Sequence, residues 1–211
     1  MAARSVASRS SAVPASSASF ERLAGVCGML TGIIGFLYAI SFVVLRNPLL
    51  SSICLMLTGL LSTTTLTALY NRLRATDPGF ALWGLLLGIA GALGAAIHGG
   101  YDLANAINPP AALNADLPSQ IDPRGMLTFG VAGIGLLAIA WLMGRNSSFP
   151  RWLSYLGYLL GILLVIIYLA RMIVLDPTNL VLLIPVLISG FAVNPAWYIW
   201  TGLVLLRGNR A

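Results

Sequence analysis

Six stretches of this chain run for about twenty residues with scarcely a charge between them. Those at 23–45, 47–71, 125–144, 152–170 and 177–206 are uncharged, and 78–101 carries only His98. A helix rising about 1.5 Å per residue needs ~20 mostly apolar residues to cross ~30 Å of hydrocarbon. Each stretch is therefore long enough to span a bilayer once. A transmembrane barrel would instead show alternating segments of ~10 residues separated by turns, and this sequence has none.

Composition agrees with that reading. The 211 residues are 58% hydrophobic and 9% charged, whereas a soluble domain is about a quarter charged. Ordinary soluble enzymes and disorder throughout are both excluded. The fold class expected is all-α: a polytopic helical bundle with six transmembrane helices. The spans are placed at about 23–45, 49–70, 79–102, 125–144, 152–174 and 181–206, forming a single domain over 21–207. Residues 1–20, rich in Ser, Ala and Arg, read as a disordered tail. Their composition also resembles an organellar transit peptide, and the plain bacterial tail is the reading adopted.

The twelve basic residues are all Arg, which excludes lysine chemistry such as a Schiff base. Their net excess does not point to nucleic acid, because they flank the spans and act as topology signals. With the N-terminus inside, the inner segments hold Arg4, Arg9, Arg22, Arg72, Arg74, Arg145, Arg151, Arg207 and Arg210, and the outer loops only Arg46 and Arg124. That bias places both termini in the cytoplasm of a bacterial inner membrane. Trp83, Trp141, Trp152 and Trp200 then fall near the inner interface, where such rings anchor. Cys27 and Cys54 lie ~15 Å apart in depth, beyond the ~7 Å reach of a disulfide. Asn146-Ser147-Ser148 matches a glycosylation pattern, but this topology leaves it in the cytoplasm.

Lipid offers no hydrophobic drive for helices to associate, so membrane helices pack through small residues. Gly25, Gly28, Gly32, Gly35 and Ala39 form such a stripe in the first span, Gly84, Gly88, Gly91 and Ala95 in the third, and Gly157 and Gly161 in the fifth. Extended along the same faces, the stripes reach Arg46, then His98 and Asp102, then Arg171. Those polar ends should face the bundle interior, where ionisable side chains are costly and mark functional sites by default. The candidate ligand-binding cluster is His98, Tyr101, Asp102 and Arg171, with Arg46 and Asp176 at its edge. Snorkelling arginines and a capped helix end are the structural counter-reading.

In the sixth span, Gly190, Asn194, Trp197 and Thr201 share a face, and Asn194 and Trp197 join the candidate set. Pro195 there should leave the Phe191 carbonyl without its helical donor. The hydroxyls of Thr58, Ser62, Thr63, Thr64, Thr65 and Thr67 in the second span can bond to their own helix or to a neighbour. The longest connection, 103–124, carries four prolines and is placed outside.

Most site chemistries fail on the sequence. One His and two distant Cys give no multi-His or Cys-cluster metal site and no bis-His haem. No cofactor is expected. Gly133-x-Gly135-x-x-Ala138 matches a dinucleotide fingerprint by letters but lies inside a membrane span, without the strand that motif needs. Asp102, four residues after His98, can orient it as a base, yet no serine stands in a nucleophile motif.

The order of spans, with HGGYDLANAINPP after the third, FPRW opening the fifth and NPAWYIW in the sixth, resembles a bacterial family of small six-helix integral membrane proteins classed as a domain of unknown function. The resemblance implies the fold and no activity. The first expectation is a protein without catalysis, binding membrane lipid or a small apolar ligand, or serving as an accessory subunit to a membrane protein partner. The alternatives are a membrane-embedded enzyme using His98 and Asp102, or a small transporter. The two halves of the chain show no evident repeat, which counts against transport.

Overall fold

The computed structural model describes residues 15–109, 123–174 and 178–208. Six helices in it are long and apolar enough to cross a membrane: α1 (Ala18–Val44), α2 (Pro48–Leu73), α3 (Pro78–Ile107), α4 (Met126–Arg145), α5 (Arg151–Ile173) and α6 (Leu180–Arg207). The protein is an integral membrane helical bundle. The helix that becomes α1 begins at Ala15, inside the segment assigned by composition to a tail; residues 1–14 lie outside the described residues, as does 110–122 of the long connection. Helix α3 runs to Ile107, five residues beyond the expected end, and stops just before Pro109-Pro110. Proline disfavours helical geometry in the residue preceding it.

Each helix packs against its neighbours in sequence, and α6 returns to α1, so the six form a closed ring. The starts are set locally. Asn47 and Asp77 accept hydrogen bonds from the backbone N–H of Leu50 and Phe80, and a proline follows each as the first helical residue, where its missing N–H costs nothing. The glycine stripes are contact lines. A Cβ on Gly202 would lie 2.5 Å from the Gly25 carbonyl oxygen, and one on Gly59 would lie 2.5 Å from that of Ala92. Gly133 and Gly135, the letters of the dinucleotide pattern, pack against Gly161 and Gly88. Outward faces present Leu86, Ile97, Ile162 and Ile184, as a surface bathed in lipid requires.

One end of the bundle is tied by Arg72. Its guanidinium pairs with both carboxylate oxygens of Glu21 at 3.0 Å and donates to the carbonyls of Val204 and Leu205 at 3.4 and 3.3 Å. It therefore joins α1, α2 and the last turn of α6, whose carbonyls have no partners within the helix. Asn146 donates to the Arg72 carbonyl and to Thr76 Oγ1, closing the same end. Above this, Leu69, Leu142, Met143, Leu153, Leu160 and Trp197 are buried completely. The α2 hydroxyls bond mostly to their own helix, and Thr65 crosses to the Ala24 carbonyl at 3.1 Å. Cys27 and Cys54 are free thiols.

Candidate functional site

Toward the opposite end, the ring is hollow. A cavity of about 660 Å³ lies between the helices, and all six contribute to its wall. Its floor is Leu66, Leu136 and Tyr198, and its mouth carries Arg46 and Arg171. From Thr31 to Arg46 the wall follows α1 for roughly 20 Å at the helical rise. Leu55, Leu164, Ile167, Leu182 and Val186 make most of the surface apolar, while Thr58, Ser62, Thr128, Ser189 and Asn194 supply scattered polar atoms.

Three helices widen into π-helical turns beside this cavity, at Ile40–Val44, Met126–Val131 and Ser189–Val193. Each places residues on the wall: Phe42 and Val43, Thr128 and Phe129, Ser189 and Gly190. The wide turns show as bonds spanning five residues, Leu45 N–H to the Ile40 carbonyl and Asn194 N–H to that of Ser189. Such turns are uncommon and concentrate at functional sites. In α6 the wide turn sits directly before Pro195, so the helix accommodates the proline by expanding one turn earlier rather than by a kink alone.

Beside the cavity, α3 and α4 carry a polar circuit. His98 is buried, and its Nε2 lies 3.4 Å from Asp102 Oδ2, one turn further along α3. Arg124, in the short turn of helix just before α4, holds the other Asp102 oxygen at 3.3 Å and stacks over the Tyr101 ring at 4.1 Å. One turn on, Thr128 Oγ1 lies 3.5 Å from His98 Nδ1 and donates to the Arg124 carbonyl at 2.7 Å. Thr128 gives its one hydroxyl proton to the Arg124 carbonyl, so its oxygen accepts from His98 Nδ1 when that nitrogen carries a proton. Of these residues, only Thr128 belongs to the cavity wall.

The expected site residues thus separate into three places. His98, Tyr101 and Asp102 stand together behind the wall. Arg171 does not join them: it sits at the cavity mouth, 5.8 Å from the Phe129 ring centre, while Arg124 is the arginine on Asp102. Asn194 reaches the cavity. Trp197, one turn deeper, is wholly buried with its indole nitrogen against Gly157, and neither it nor the Thr201 hydroxyl has a hydrogen-bond partner among the described residues. Asp176 lies outside the described residues. The roles of Arg124 and Thr128 were invisible in the sequence, because the bond between α3 and α4 spans a long connection and follows no helical spacing.

Among the described residues, no group of three or more His, Cys, Asp or Glu side chains could hold a metal ion. What the fold and site define is an integral membrane six-helix bundle with a central cavity and a carboxylate–imidazole–hydroxyl chain leading into it. No protein-family model matches the chain, and no curated protein or solved structure does either. The resemblance read from its short motifs therefore assigns no residue a role.

Proposed function

We propose that this protein is a membrane-embedded enzyme that performs acid–base chemistry on an amphiphile held in the cavity. This was the alternative reading of the sequence rather than the first. The observation that carries it is the position of Thr128, whose hydroxyl faces His98 Nδ1 while its residue lines the cavity. In this role His98 exchanges a proton with a ligand group that reaches it beside Thr128. Asp102 orients the ring and stabilises the imidazolium, and Arg124 fixes Asp102. Separations of 3.4 and 3.5 Å are long for working bonds, but catalytic hydrogen bonds commonly tighten only around substrate. The distribution of arginines supports the reading that both termini are cytoplasmic and that the cavity opens on the outer side of a bacterial inner membrane. A reporter joined to the C-terminus should accordingly read as cytoplasmic.

The test is conversion. Wild-type protein in nanodiscs is incubated with a bacterial polar-lipid extract, and the products are compared by mass spectrometry with those of His98→Gln. A product formed by the wild type and absent with the variant supports the enzyme. Bound lipid without any product favours a second reading, a ligand-binding protein without turnover. One feature speaks for that reading: both His98 nitrogens already face partners in a closed circuit, which also serves to clamp α3 to α4.

A further inference from the structure

Among the described residues that line the cavity, the charged ones are Arg46 and Arg171, both at its mouth. Arg72 and Arg124 each meet a carboxylate. Arg46 and Arg171 line the mouth with no carboxylate among the described residues within salt-bridge distance. Both side chains are exposed at the rim of an otherwise apolar hole, where each can offer its donors to an anion.

Arg46 is held there against its backbone preference. It is the one residue other than glycine, among those described, with positive φ, at 49°. The left-handed conformation costs a side-chain-bearing residue about 1–2 kcal/mol, and such outliers persist where the surroundings impose them. The surroundings here are on both sides. The wide turn Ile40–Val44 precedes Arg46, and Asn47 and Pro48 immediately start α2. The connection is thus fixed in a form that sets Arg46 on the rim.

Below the mouth the wall is mostly apolar for roughly 20 Å along α1, and the volume falls within the range of about 300–1,000 Å³ usual for small-molecule sites. A charged rim above a long apolar shaft matches one ligand shape: an oxyanion head on a hydrocarbon chain. Arginine suits either a carboxylate or a phosphate head, because its fork donates two parallel hydrogen bonds to both. We infer that the cavity binds an anionic acyl amphiphile, its oxyanion held between Arg46 and Arg171 and its chain descending past Leu182 and Ile167 toward Tyr198. This rests on reading the cavity as the ligand site and names the class of molecule that the proposed enzyme would act on.

The experiment is equilibrium binding of radiolabelled palmitate to the full-length protein in neutral phosphatidylcholine nanodiscs. Hexadecanol serves as the uncharged control and phosphatidic acid as competitor. Saturable palmitate binding, at least tenfold tighter than hexadecanol, is expected. The double variant Arg46→Gln/Arg171→Gln should lose that tenfold preference, and Arg46→Lys/Arg171→Lys, which keeps the charge, should retain most of it. Each variant is first shown to be folded by size-exclusion chromatography. Should the Gln pair fail to fold, the Lys pair and the hexadecanol comparison still decide the matter. Competition by phosphatidic acid would identify the natural source as a phospholipid, and palmitate binding without competition a free fatty acid; both support the inference. Equal binding of acid and alcohol, an undiminished preference in the Gln double variant, or no saturable binding of palmitate or phosphatidic acid would overturn it. Binding is read without turnover. A protein that binds palmitate yet converts no lipid would remove the enzyme reading and keep this one.

Discussion

Toward Arg72, side chains such as Leu142, Met143, Leu160 and Trp197 fill the space between the helices with no surface left exposed. Toward Asp102, the same six helices stand around a 660 Å³ cavity. Both halves use glycine, leucine and hydroxyl residues, so composition does not separate them. Helix geometry does. The π-helical turns all flank the cavity, whereas the α2, α3 and α5 segments of the packed half keep a regular period that lets stripes interlock. The widened turns set Phe42, Phe129 and Ser189 on the cavity wall, while the turn at Met126–Val131 still packs closely against Gly94. The packed end fixes the ring; the widened turns line its open end.

The sharpest test of that contrast exchanges one residue type at two places. Gly202→Val drives a Cβ to within 2.5 Å of the Gly25 carbonyl oxygen, and backbone cannot yield as a side chain can. Overpacking of this kind costs about 3 kcal/mol or more, so little folded protein should be recovered by size-exclusion chromatography. Gly190→Val meets only the Ala39 Cβ, at 3.1 Å, and should fold with a loss below about 1 kcal/mol. If the two variants behaved alike, the division into a packed and an open half would be wrong.

Much of the packed half was legible, because its rules are periodic. Length and apolarity placed the spans, and helical spacing grouped Gly25, Gly28 and Gly32 on the face that meets α6. The same spacing took His98 to Asp102, a contact within one helix turn. What it could not reach was anything set by tertiary distance. Arg171 makes no salt bridge to Asp102, and Arg124, from a connection whose path no periodicity describes, takes that place. The wide turns at Ile40–Val44 and Met126–Val131 have no sequence signature, and only Pro195 marks the third. The cavity, lined by those turns, was illegible for the same reason.

Removing Arg72 should be nearly as damaging as filling Gly202. Arg72→Ala strands Glu21 and the Val204 carbonyl, and takes one of two donors from that of Leu205, which keeps the Gly208 N–H. Breaking one partner of a buried pair costs about 3–5 kcal/mol; with Glu21 partly exposed, about 3 kcal/mol is expected, read as a lower midpoint of unfolding in detergent. The paired variant Arg72→Met/Glu21→Gln should recover part of that loss. A leucine comparison probes the interior itself. Leu142→Ala empties a fully enclosed site and should cost about 3 kcal/mol. Leu164→Ala enlarges a space that is already open and should cost about 1 kcal/mol, since fewer contacts are lost there.

The smallest effect on stability is expected at the polar circuit, and that smallness is informative. Asp102 is 42% exposed, and partly exposed ion pairs contribute about 0–1 kcal/mol. Asp102→Asn should therefore lower stability by less than about 1 kcal/mol in the same unfolding measurement. It keeps the shape of the side chain and removes the charge that supports an imidazolium on His98. A clamp between α3 and α4 depends on the circuit's geometry and should tolerate the change; a proton-transferring pair depends on the charge and should not. Near-native unfolding together with lost lipid conversion would separate chemistry from packing at this end of the bundle. A loss of several kcal/mol would instead make Asp102 a structural tie like Arg72, and the two ends would differ in volume alone.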